Sequence, residues 1–204
     1  MRTHKDYERN VFINCPFDDQ YEEIFNAILF VVHKCGFILR CSKEYEDSSS
    51  IRIQNIVQLI NESKYSIHDL SRVSLDITSQ LPRFNMPLEL GICIGAIEFG
   101  SKRQKQNKYL IIESEKFRFK QFISDLSGQD IRDHKDSVEG VIKIIRNFLS
   151  KNTSETVPSA TLIFKEYQKF LDDLPLLCEE NDWLVDELTF EEYSTLVTNW
   201  LTFE

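Results

Sequence analysis

Between residues 10 and 150, short apolar runs alternate with stretches of helical periodicity, and most of the connections are short. Residues 11–15, 37–41, 65–69 and 109–112 read as strands, with residues 129–132 as a fifth. Pro16 closes the first run. Tyr21, Ile24, Phe25, Ile28, Leu29, Val32 and Cys35 then keep helical spacing behind an N-cap at Asp18 or Asp19, and Gly36 supplies the stop. Ile53, Ile56, Val57 and Ile60 repeat the period, as do Val138, Val141, Ile142, Ile145, Phe148 and Leu149 behind an Asp136/Glu139 capping box. Alternation of this kind calls for a parallel sheet with helices on both faces. Five strands favour an α/β flavodoxin-like three-layer sandwich. In such a fold, ligands bind outside the carboxyl ends of the strands.

One helix stands apart. Residues 86–97 carry a single charge, Glu89, so the spacing predicts a helix capped by Asn85, buried on most sides, with a carboxylate in its first turn. The helix dipole favours an acid there, which is the ordinary reason for one. The sharper reason is that the start of this helix converges with the loops after residues 15 and 41 and with Asp69 on one rim of the sheet.

The net charge of −9 is unevenly placed. Residues 161–204 hold eleven acids against two bases, Lys165 and Lys169, which accounts for the whole imbalance. Nonspecific nucleic-acid binding needs a basic footprint and is disfavoured. The chain therefore divides into an α/β domain over residues 1–150, a polar linker over 151–160 and an acidic helical appendage over 161–204. Within the appendage, Ile163, Tyr167, Phe170, Leu171 and Leu174 keep helical spacing. So do Phe190, Tyr193, Val197, Trp200 and Leu201, behind a Thr189/Glu192 capping box. These aromatic faces are expected to dock, on the domain, across a homo-oligomer or on a protein partner. The five cysteines form no CxxC pair and the four histidines have no metal-ligand spacing. With no apolar leader after Met1 and no membrane-length apolar run, the expectation is a cytoplasmic protein with reduced thiols, no metal and no membrane association. There is no Gly-x-Gly-x-x-Gly or Walker loop to support a dehydrogenase or an ATPase.

Two stretches resemble the nucleoside 2-deoxyribosyltransferases and the related TIR-like fold. Phe12-Ile13-Asn14-Cys15-Pro16-Phe17 is similar to that family's opening strand with its Gly-Pro-Phe-type turn. Leu88-Glu89-Leu90-Gly91 with Ala96 is similar to its Glu-Leu-Gly helix, and Asp69 to an acid ending the third strand. The resemblance covers roughly residues 10–150. It implies that Glu89 is a nucleophile attacking the anomeric carbon of an N-glycoside, with Asp69 as its base-side partner. Strand alternation points His68 and Asp69 to opposite faces, so at most one of the two serves. The chain departs from the pattern where Arg83 replaces an acid six residues before the nucleophile and Asn85-Met86 replaces Gly-Thr. An arginine near the sugar suits a phosphate, which its planar fork binds bidentately. The implied substrate-side set is Asn14, Cys15, Phe17, Asp18, Arg52, Arg83, Asn85 and Met86. The expected activity is that of an N-glycosidase releasing or transferring the base of a nucleotide or dinucleotide, with NAD as substrate rather than cofactor. A non-catalytic nucleotide-sensing module of the same fold is the second reading. By resemblance, a homo-oligomer and a bacterial defence role are further expectations.

Overall fold

The computed structural model describes residues 6–45, 51–72 and 84–203. Five strands form one parallel sheet: β1 (Asn10–Asn14), β2 (Ile38–Arg40), β3 (Tyr65–Asp69), β4 (Lys108–Glu113) and β5 (Arg132–Asp133). Their order is β2-β1-β3-β4-β5, the flavodoxin-like arrangement. The helices are α1 (Glu22–Lys34), α2 (Arg52–Glu62), α3 (Asn85–Phe99), α4 (Val138–Leu149), α5 (Ala160–Glu179) and α6 (Phe190–Phe203).

The period-2 alternation of the strands sorts the core into two halves. From β1, Val11 and Ile13 join the apolar cluster built by α1 and α4, whereas Phe12 packs with Ile56, Leu59 and Ile60 of α2 and Cys93 of α3. β3 repeats the division: Tyr65 and Ile67 point to the α1/α4 side, while Ser66 and His68 turn to the other. Gly36 closes α1 at φ +80°, where a side chain would be strained.

The acidic C-terminal segment forms a fourth layer. Tyr167, Phe170 and Leu174 of α5 and Tyr193, Val197 and Trp200 of α6 share one continuous core with α1 and α4. Phe30 of α1 lies in the middle, with ring centroids 5.2 Å from Tyr167, 5.6 Å from Phe170 and 6.0 Å from Trp200. This covering explains why α1 is apolar on nearly every side, from Ala27 through Val32. The linker is tied down as well: the Arg146 guanidinium donates to the carbonyls of Pro158 and Val157. Thr189 and Glu192 form the reciprocal capping box read from the sequence.

Several boundaries differ from expectation. β5 is only two residues long and begins where the predicted strand ends. α4 is capped by Ser137, whose hydroxyl accepts from the Gly140 amide, and Asp136 instead adopts a left-handed turn at φ +48°. Asn85 is the first residue of α3 and exposed rather than its cap, so Glu89 falls at the start of the second turn. α3 is also buried on one face only, through Met86, Glu89, Leu90 and Cys93. No described helix is long and apolar enough to cross a membrane.

Candidate functional site

The carboxyl ends of β1, β3 and β4, with the loop after β5, bring Asn14, Asp69, Glu113 and His134 to one rim, all of them almost wholly buried. Asn14 ends β1, and its side-chain amide donates to the Met86 carbonyl at 2.8 Å and to His68 Nδ1 at 2.9 Å. These two bonds use both amide protons and pin the first turn of α3 against the sheet. His68 Nε2 lies 3.0 Å from Ser66 Oγ, and burial holds its pKa down at about 3, so the ring is neutral.

Asp69 points to the opposite face, as the alternation requires. Its carboxyl accepts from the Ser71 amide at 2.7 Å, from the Ser71 hydroxyl and from the Tyr21 hydroxyl. His134 Nε2 completes the shell at 3.0 Å from the carboxylate and 3.0 Å from Ser71 Oγ. A carboxylate has about four lone-pair sites, and here four donors fill them. The satisfied assignment gives His134 the Nε2–H tautomer. Asp69 is thus a fully enclosed anchor joining β3, the entry to α1 and the loop after β5. Arg118 extends it by donating to the Ser71 carbonyl at 2.9 Å. Sequence reasoning missed Tyr21, Ser71 and His134, which lie 48, 2 and 65 residues from Asp69. Glu113, at the end of β4, is fully buried, and burial raises its pKa to about 7 against the lowering pull of the Phe119 amide and Arg118.

Glu89 is a different kind of carboxyl. It is buried at 7% exposure, yet among the described residues it makes no hydrogen bond. Burial raises its pKa to about 7, and the Arg52 guanidinium opposes that rise. A desolvated carboxyl without partners is costly, and a fold that keeps one places it where something else will meet it. The same burial, together with the charges of Asp69 and Glu89, pushes the Cys15 thiol well above its ordinary value, so Cys15 is an inert buried thiol.

The remaining expected positions divide. Arg52 opens α2, is exposed and acts electrostatically on Glu89. Met86 is buried and offers its backbone carbonyl to Asn14, while the Asn85 side chain is exposed. Phe17 packs edge-on to Phe25 at 5.3 Å with the Lys43 ammonium above both rings. Asp18 holds the cap position before the 3-10 turn at Asp19–Tyr21, and its side chain makes no capping bond there. Arg83 lies outside the described residues. Arg40, at the end of β2, is closed by Glu44 at 2.9 Å and Glu62 at 3.3 Å. All five cysteines are buried and free, and no cluster among the described residues could hold a metal ion.

Fold and rim define a doubly wound α/β domain of flavodoxin-like strand order, with a helical layer added at its C-terminus. Comparison with protein-family models, with curated proteins and with solved structures gives no match.

Proposed function

We propose that this protein is an N-glycosidase of the nucleoside 2-deoxyribosyltransferase-like and TIR-like kind, with Glu89 as the group that meets the anomeric carbon. The observation that carries the reading is Glu89 itself: a buried carboxyl at the start of α3, without a hydrogen-bond partner among the described residues, on the ligand-binding rim of the sheet. Breaking an N-glycosidic bond develops positive charge at C1′, which such a carboxylate stabilises or captures as an ester.

The enclosure of Asp69 narrows the substrate. Its four donors leave it no free lone pair, so its part is to position the rim. With Asp69 filled by its donors and Glu113 wholly buried at the end of β4, no second acid among the described rim residues is exposed to a ligand, which suits a base that departs without being protonated. A pyridinium N-glycoside such as the nicotinamide end of NAD meets that condition. The bonding pair moves onto the ring nitrogen, neutral nicotinamide leaves, and water adds at C1′ with loss of one proton. Arg52, near enough to Glu89 to oppose the rise in its pKa, offers a guanidinium that a phosphate would suit.

The closed state of Asp69 also favours the second reading, in which the rim binds a nucleotide and Glu89 accepts from a ribose hydroxyl without cleavage. Incubation with NAD, NADP, purine nucleotides and deoxynucleosides, followed by chromatography, separates the two. Free nicotinamide supports the glycosidase. A ligand bound saturably and recovered intact supports the sensor. Absence of both binding and cleavage across the panel removes both.

A further inference from the structure

The outer face of α3 carries a stripe that nothing in the described chain uses. At 3.6 residues per turn, Phe84, Leu88, Gly91, Gly95 and Phe99 fall within an arc of about 80°, opposite the buried Met86, Leu90 and Cys93. Phe84 is 65% exposed, Leu88 58% and Phe99 89%. On α2, which packs against α3, Ile53 and Val57 are 42% and 48% exposed. A Cβ built at Gly91 or Gly95 meets nothing within 4 Å. Neither glycine is therefore required by packing among the described residues, although each weakens the helix by about 0.5–1 kcal/mol relative to alanine.

We infer that this face is the two-fold interface of a homodimer, in which α3 crosses its own copy antiparallel at the two glycines. Three observations select a second copy as the occupant. The stripe is nearly its own mirror about the level of Cys93: Leu88 stands five residues before that level, Phe99 six after it, and the glycines lie between. A two-fold axis there sets Leu88 of each copy against Phe99 of the other, as an isologous contact requires. The bare glycines let the two backbones approach closely while the flanking large side chains close the ends. The exposed apolar area, roughly 600 Å² with aromatic rings counted at ~200 Å² each, supplies most of the ~800 Å² per partner of a stable interface. Antiparallel crossing also opposes the two helix dipoles. This surface is distinct from the acidic α5/α6 layer, which is already docked on its own domain, and the inference does not depend on the chemistry at Glu89.

Sedimentation velocity on the full chain from 1 to 100 µM tests it. The wild type is expected to sediment as a dimer in the upper part of that range. Gly91→Leu with Gly95→Leu, and separately Phe99→Glu, should each shift it to monomer, raising the dissociation constant at least 100-fold. Circular dichroism reports folding, and at a concentration where the wild type is monomeric the double variant should melt no lower, because both new side chains enter open space and dimer formation no longer stabilises either protein. A wild type that stays monomeric at 100 µM overturns the inference. So does a dimer that survives both variants, since it would be held elsewhere.

Discussion

The Asn14 side-chain amide donates to the Met86 carbonyl at 2.8 Å, so the last residue of β1 sets where α3 begins and hence where Glu89 stands. The same amide group reaches His68 Nδ1 at 2.9 Å and fixes the second strand of the rim. One short polar side chain thus couples two strands and a helix terminus at the place where a ligand would bind.

Asn14→Leu should consequently be costly. It removes two donors, so the His68 nitrogen and the Met86 carbonyl each lose a partner, a loss of about 2–6 kcal/mol at 1–3 kcal/mol per group. The melting temperature should fall by about 4–24 °C for a chain of this size. A melt within 1 °C of wild type would show that the amide is dispensable.

Tyr21→Phe removes one of the four donors around Asp69 and nothing else of the same shape. Loss of a hydrogen bond to a buried carboxylate should cost about 1.5–3 kcal/mol, read by urea unfolding at neutral pH. An unchanged midpoint and slope would mean that Asp69 is held adequately by Ser71 and His134.

The C-terminal layer should behave as core. Trp200 is buried against Phe30 and Phe170, and its indole N–H donates to Asp173 at 2.9 Å. Trp200→Ala should cost about 3–5 kcal/mol. Cutting the chain at residue 155 should abolish cooperative unfolding, because it would bare the covered side of α1. A truncated chain that still melts cooperatively near the wild-type temperature would show that the layer is a dispensable cover.

Glu89 makes stability depend on pH in a stated direction. Its folded pKa is raised to about 7 from an ordinary value of 4.5, so between those values the folded chain binds more protons than the unfolded one. Stability from this group is present at low pH and is lost as pH rises through about 7. Glu89→Gln removes the charge, so the variant should match wild type near pH 4 and exceed it by about 2–3 kcal/mol at pH 8. Denaturant titrations at the two pH values check this. Equal stability at pH 8 would mean that the carboxyl is better solvated than its burial indicates.

Much of this fold was legible in the sequence because it is written in local periods. The apolar run from Val11 to Cys15, the 3.6-residue stripe from Tyr21 to Cys35, and the Thr189/Glu192 box each specify an element without distant help. The start of α3 was not legible, since a bond from Asn14, 72 residues away, holds its first turn and displaces Asn85 from the cap. Ser137 took the cap of α4 from Asp136 for a similar reason: the turn at Lys135 and Asp136 is left-handed, which no periodicity records. Glu89 could be singled out because a lone charge in an apolar helix is conspicuous in any alignment of residues along one line. Tyr21 and His134 could not. One reads as an ordinary stripe residue, and the other has no spacing to mark it until the fold carries it to Asp69.

Attack of Glu89 on C1′ is decided by base release from NAD under single-turnover conditions, wild type beside Glu89→Gln. The wild type should release nicotinamide with a rate rising through about pH 7 as Glu89 ionises. Glu89→Gln should lose about 10³-fold or more in that rate, as expected for a missing nucleophile, while its calorimetric affinity for NAD stays within tenfold. Equal release by the two proteins would contradict the claim.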